Sequence, residues 1–245
     1  HGKNGEDGTV QGLAELAGIP VIGCDMLSSA VCMDKEYAHA IVRSYGIAVP
    51  EGFAVHSMEY DPTDVRRRAD DLGYPLFVKP ARSSFGITQV HGPASLPEAV
   101  AVAFAHDKKA VIEKSVEGVE VGCAVLGTQE LFTGEVDEVI LSDGFFNYIE
   151  KYTLQTSKIN VPAHTDSETK KQIQQMAKKI YRVLGCSGFA RVDLFLTPKN
   201  EIIFNEVNTI PGCTSHSRYP GMMQAAGIPF PRLMDKIIET AVTPE

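Results

Sequence analysis

The apolar positions of this chain change period several times, and each change marks a predicted element. Across residues 168–184, Ile173, Met176, Ile180 and Leu184 recur at helical spacing, which predicts an amphipathic helix with one buried face. Residues 189–196 (FARVDLFL) and 201–207 (EIIFNEV) are instead rich in β-branched and aromatic side chains. Thr197-Pro198-Lys199-Asn200 between them carries turn chemistry, so the pair predicts a β-hairpin. Further strands are predicted at 53–55, 76–79, 87–90, 110–113, 120–126 and 131–141, with a short buried one at 19–23. Helices are predicted near 65–72, 97–106 and 230–241. Another is expected over 30–45, capped by Ser28 or Ser29 and stopped by Gly46. The leading Gly-rich loop, 1–10, offers Asp7 or Thr9 as cap for a helix through Leu16. Residues 143–158 lack an apolar period and read as a long loop. Strands and helices mix without strict βαβ alternation, so the expected class is α+β, or a mixed sheet.

Alternation along the hairpin puts Arg191 and Asp193 on one face of its first strand, and Glu206 and Asn208 on one face at the end of its second. Two carboxylates and a carboxamide are hard oxygen donors, the set that holds Mg²⁺ together with substrate phosphates. The plainer alternative is an amphipathic hairpin whose acids face water. The segment after the hairpin favours the site. Asn208-Thr209-Ile210-Pro211-Gly212 is a turn whose glycine lets a backbone N–H approach a ligand. Thr214-Ser215-His216-Ser217 then adds four polar side chains where an ordinary core protein would begin its next helix.

A formal charge of −8 argues against nucleic acid or an anionic membrane surface as the main partner. No apolar run approaches membrane-spanning length, and no signal-peptide pattern opens the chain. The five cysteines are odd in number and show no CxxC spacing, which fits reduced thiols in a cytoplasmic protein. The chain opens on His1, inside a loop of functional composition and without an initiator Met, so it is expected to be a piece of a longer protein.

These motifs, taken in order, resemble the ATP-grasp fold and, more narrowly, the D-alanine–D-alanine ligase family. The matching stretches are His1-Gly2, Gly5-Glu6-Asp7-Gly8, Met33-Asp34-Lys35, Val78-Lys79-Pro80, Glu113-Lys114 and 205–212. The resemblance covers nearly the whole chain. It implies a remnant of an N-terminal substrate domain at 1–34, a central ATP-grasp subdomain at 35–116 and a C-terminal catalytic subdomain at 117–245. The family's N-terminal domain is largely absent from this chain. Its members also carry a slightly longer loop between Arg82 and Ser83, and residues are expected to be missing here rather than deleted.

The resemblance implies a two-step reaction. ATP phosphorylates the carboxylate of a first D-amino acid, and the amine of a second displaces phosphate from the acyl phosphate. Asp193, Glu206 and Asn208 would hold Mg²⁺, with Mn²⁺ as a substitute. Lys35, Lys79 and Lys151 would meet phosphate oxygens, although a lone lysine is more often a solvated charge. Glu120 would take the ribose hydroxyls, while Glu113 and the backbone near Val116 would meet the adenine edge. The loop Ser83-Ser84-Phe85-Gly86 would close over the phosphates with Ser84 as a donor. Arg191 and the N–H of Gly212 would stabilise the tetrahedral oxyanion; a structural ion pair is the alternative for Arg191. Ser83 and Tyr152 would position the first substrate, with His1 and Glu6 near the same pocket, and Ser217 would hold the carboxylate of the second. His216 carries no assigned chemistry, and Cys213 reads as a small buried apolar residue.

Three second substrates compete. Lys151-Tyr152 resembles the dipeptide-forming branches, against the D-lactate branch, whose loop differs. Arg218, in Ser217-Arg218-Tyr219-Pro220, departs from the apolar residue of housekeeping D-alanine ligases. Together with FFNYIEKYTL and NEVNTIPG it is similar to the vancomycin-resistance D-alanine–D-serine ligases, and Arg218 would favour a polar second substrate by bonding its hydroxyl. The expected activity is therefore joining D-alanine to D-serine for peptidoglycan precursors, with a D-alanine–D-alanine ligase as the alternative. A non-catalytic nucleotide-binding remnant is the reading from another class. A homodimer is what the family implies.

Overall fold

The computed structural model describes residues 2–141, 157–214 and 216–242. Three short helices lead the chain: α1 (Thr9–Leu16), α2 (Met26–Met33) and α3 (Lys35–Ser44). The single helix expected at 30–45 is two, because Asp34 ends one and begins the next. Its carboxylate accepts from the Tyr37 N–H at the start of α3, and Asp25, not Ser28 or Ser29, caps α2 through the Ser28 N–H. The run at 19–23 forms no strand, and Ile19 and Ile22 are exposed.

Four strands, β1 (Gly52–His56), β2 (Leu76–Pro80), β3 (Thr88–Val90) and β4 (Lys109–Lys114), form an antiparallel sheet in the order β1-β4-β2-β3. Helices α4 (Pro62–Leu72) and α5 (Leu96–His106) cover it, packing Val65, Ala69, Leu96 and Val100 around Leu76, Val78 and Ile112.

The larger sheet contains β5 (Val119–Leu126), β6 (Phe132–Leu141), β7 (Ser157–Asn160), β8 (Phe189–Leu196) and β9 (Ile202–Asn208), in the order β7-β6-β5-β8-β9. Every pairing is antiparallel, so the α+β reading holds and the mixed-sheet alternative does not. Val121, Cys123 and Val125 turn to one face, where α6 (Ser167–Val183) buries Ile173, Ala177 and Ile180; Ala38 and Val42 of α3 join this core. Ala124 and Leu126 turn to the other, under α7 (Arg218–Ala225) and α8 (Phe230–Val242). Helix α7 is absent from the sequence reading, which passed from the polar Thr214–Ser217 segment to the helix near 230–241. Among the described residues no helix is long and apolar enough to cross a membrane.

The smaller sheet is tied to the start of α3 by charge. Lys109 of β4 reaches Asp34 Oδ1 at 2.8 Å and Glu36 Oε2 at 2.7 Å, with its ammonium 3.8 Å from the Tyr37 ring centre. The contact fixes the N-terminal turn of α3, and with it Lys35. Lys109→Met is expected to destabilise the fold by about 3 kcal/mol, because it leaves the buried Asp34 carboxylate without its partner. Urea unfolding of the variant checks this.

Candidate active site

Strand register builds the centre of the site. Asp193 lies opposite Glu206, and Arg191 opposite Asn208. Paired residues in an antiparallel ladder share a face, so the four side chains converge as the hairpin pattern anticipates. Arg191 donates from Nε to Asp193 Oδ1 and from Nη2 to Oδ2, both at 2.7 Å. Burial works against the Arg191 charge, but Asp193 outweighs it and raises the guanidinium pKa. Asp193 has no exposed surface at all. Asn208 accepts from the Ile210 N–H at 3.1 Å, which pins the adjoining turn.

A cavity of about 50 Å³ opens beside this hairpin. It brings together Glu6, Lys35, Ser83, Ser84, Glu206 and Asn208, residues from four separate stretches of the sequence. Lys35 Nζ bonds the Ser83 carbonyl at 3.1 Å and stands 4.0 Å from Glu206 Oε2. A lysine ammonium thus faces a carboxylate across a polar gap lined by two hydroxyl residues. Glu6 accepts from the Gly2 N–H at 2.7 Å, folding the leading loop onto the same cavity.

The loop from Arg82 through Ser83 and Ser84 borders the same cavity. Arg82 makes a two-point pair with Asp107, and the Ser83 hydroxyl accepts from the Phe85 N–H. Gly86 has φ +77°, and a Cβ there would lie 2.4 Å from the His106 ring, so a larger residue would be strained and would have to displace that ring.

Lys79 and Glu113 are paired with each other. Lys79 Nζ sits 2.6 Å from Glu113 Oε2, and His39 Nδ1 sits 3.1 Å from Oε1. His39 Nε2 also contacts the Asn205 carbonyl at 2.7 Å, joining α3 to β9 one residue from Glu206. Burial opposes the Glu113 charge, and Lys79 and His39 overcome it, holding the carboxyl far below the usual range. At 1 % exposure, Glu113 is a partner of Lys79 and is not displayed toward a ligand. Val116 lies in the half-buried connection between β4 and β5.

The second half of the site lies at the start of α7. A Cβ on Gly212 would lie 2.9 Å from Ser217 Oγ, so the glycine admits that hydroxyl against the main chain. Ser217 Oγ accepts from the Thr214 N–H and contacts the Thr214 hydroxyl. Cys213 is half-buried and packs on Met234, and His216 is exposed. Arg218, the first residue of α7, reaches back to the larger sheet. Its Nε and Nη2 bond Asp137 at 2.7 and 2.8 Å, its Nη1 faces Glu120 at 3.4 Å, and Nη2 stands 3.6 Å from Asp193. The guanidinium is buried among carboxylates of the sheet. His1, Lys151 and Tyr152 lie outside the described residues.

Asp137 and His39 were missed by sequence reasoning. Asp137 sits beside Glu138 in a predicted strand, and nothing in the sequence says which acid is buried against a cation; only the fold shows that Asp137 meets Arg218. His39 sits on a helix face without a motif.

Residues 41–239 match the family described as D-ala D-ala ligase C-terminus. The chain belongs to the D-alanine–D-alanine ligase family. It is 49% identical over 250 residues to the vancomycin B-type resistance protein VanB of Enterococcus faecalis, covering 99% of this chain and 71% of that protein. Among solved structures it is similar to the VanG D-Ala:D-Ser ligase of Enterococcus faecalis, with 55% identity and a TM-score of 0.92 over 99% of this chain and 71% of the other. It is similar also to the D-alanine–D-alanine ligase of Bacillus anthracis complexed with ATP, at 34% identity and TM-score 0.85, over 99% and 77% of the two chains. The protein is thus an ATP-dependent ligase of the D-alanine–D-X type with the ATP-grasp fold.

Proposed function

We propose that this ligase joins D-alanine to D-serine through an acyl phosphate. The observation supporting it most is the likeness to the D-Ala:D-Ser ligase at 55% identity across nearly the whole chain. Arg218 is bonded to Asp137 on the larger sheet, and Lys151 and Tyr152 lie outside the described residues.

Each chemical demand of the reaction has residues to meet it. Asp193, Glu206 and Asn208 are all hard oxygen donors on one hairpin face, a set that fits Mg²⁺ or Mn²⁺. Among the described residues no three His, Cys, Asp or Glu side chains make a metal cluster alone. Such an ion keeps water and phosphate oxygens in its shell, so a partial protein set suits it, and when bound it neutralises phosphate charge. Lys35, beside Ser83 and Ser84, meets the γ-phosphate as it moves to the D-alanine carboxylate, leaving ADP and an acyl phosphate. Lys79, oriented by Glu113, meets the other phosphates. Backbone near Val116 meets the adenine edge, and Glu120 the ribose. Glu6 lies on the side of the first substrate. The second amine then attacks the acyl carbon, the carbonyl oxygen becomes an oxyanion, and phosphate leaves as the carbonyl re-forms. The Arg191 guanidinium and the Gly212 N–H stabilise that oxyanion, while Ser217 holds the carboxylate of the incoming amino acid.

Competition tests the substrate. With D-alanine supplied as first substrate and equal D-serine and D-alanine as second, kcat/KM is expected to favour D-serine by roughly 10-fold to 10³-fold. Quantifying both dipeptides decides. Predominant D-Ala–D-Ala from the unmutated full-length enzyme replaces this reading with a D-alanine–D-alanine ligase.

A further inference from the structure

Strict alternation along β9 would put Glu206 on the same face as Phe204, which is buried in the core under α6. The strand register shows why it does not. Leu194 pairs with Phe204 and Asp193 with Glu206, so Asn205 is an extra residue, a β-bulge on β9. The bulge changes the phase of the strand. Phe204 and Val207 both enter the apolar core, and Glu206 turns to the opposite face beside Asp193. A bulged residue is left out of the ladder, and β9 is the edge of its sheet, so the main chain at Asn205 needs a partner from elsewhere. His39 is that partner. Its Nε2 meets the Asn205 carbonyl at 2.7 Å, and its ring packs T-shaped against Phe204, with centres 5.5 Å apart.

We propose that His39 is a positioning residue for the nucleotide side of the site: by holding the bulge carbonyl it fixes the direction of Glu206, and through Glu113 it ties that direction to Lys79. A carbonyl only accepts, so the ring presents an N–H to Asn205 from Nε2. The other ring nitrogen, Nδ1, stands 3.1 Å from Glu113 Oε1, and Glu113 Oε2 stands 2.6 Å from Lys79 Nζ. The path from Lys79 to Asn205 therefore crosses from the smaller sheet to the larger through the buried Glu113 and His39 side chains. His39 lies one turn after Lys35 on α3, so a single helix carries both residues to the site. The inference rests on the roles proposed above for Lys79 and Glu206, though not on the identity of the second substrate.

The test is His39→Phe in the full-length enzyme, which keeps a flat ring against Phe204 and removes both nitrogens. Calorimetric titration with Mg²⁺–ADP, without amino acids, is expected to show a Kd raised about 10-fold or more, the usual cost of losing a partner behind a metal ligand. In D-alanine-dependent phosphate release, the Mg²⁺ concentration for half-maximal rate should rise by a similar factor while the KM of D-alanine stays the same. A purely structural role would lower the melting temperature and leave these constants unchanged in the folded enzyme. His39→Gln guards against an unfolded phenylalanine variant. Its amide can serve the carbonyl and keeps a polar group beside Glu113, so it should bind Mg²⁺–ADP more tightly than His39→Phe and more weakly than the unmutated enzyme. Unchanged Mg²⁺–ADP affinity in folded His39→Phe or, should that variant not fold, in His39→Gln, would overturn the proposal. Failure of the D-serine reading shows separately, in the product ratio of the unmutated enzyme.

Discussion

Arg191→Ala is expected to lower kcat by about 10²–10³, the usual cost of deleting one oxyanion donor, while ATP affinity changes far less. Arg191 is buried on β8, and two of its nitrogens are fixed by Asp193. A side chain held that firmly is preorganised, so it stabilises developing charge without reordering during the reaction. Its removal also takes the two-point bond from buried Asp193, so the melting temperature should be followed in parallel. Arg191→Lys separates the two effects, since an ammonium keeps the charge but cannot make the two-point bond. Single-turnover assays with nucleotide titration provide the measurement. A variant that binds ATP poorly yet turns over normally at saturation would move Arg191 from the chemical step to nucleotide binding.

Glu206→Gln is expected to cost at least about 100-fold in dipeptide formation, since even outer partners of metal ligands commonly cost 10–100-fold. The substitution is isosteric, and the Glu206 side chain is partly exposed, so little change in folding should accompany it. It removes a formal charge from the site and takes away the carboxylate facing Lys35 at 4.0 Å. Raising the Mg²⁺ concentration should recover part of the loss if the residue holds the ion. Full activity at the ordinary Mg²⁺ concentration would remove Glu206 from the metal set.

The hairpin was legible because its chemistry is local. Alternation and a four-residue turn fix which of Arg191, Asp193, Glu206 and Asn208 share a face, and the observed register agrees. The long helix α6 was legible for the same reason, from the spacing of its apolar residues. Helix α7 was not. Pro220 and Gly221 look like turn residues, but Pro220 falls in the first helical turn, where no backbone N–H is required, and buried Tyr219, Met222 and Met223 hold the helix down. The break at Asp34 was hidden because the apolar pattern continues through it while a side-chain cap restarts the helix. The partners of Glu113 and Arg218 were hidden more deeply. Lys79 and Asp137 are distant in sequence, and no spacing rule shows that a charged residue is already engaged.

Whether the hairpin face is the place where ATP chemistry is run is tested most directly through its metal. The measurement is D-alanine-dependent phosphate release by the unmutated full-length enzyme, first with excess chelator and then with added Mg²⁺ or Mn²⁺. The expected result is no release above background in chelator and full recovery on adding either ion. Equal rates with chelator and with metal would contradict the assignment of Asp193, Glu206 and Asn208.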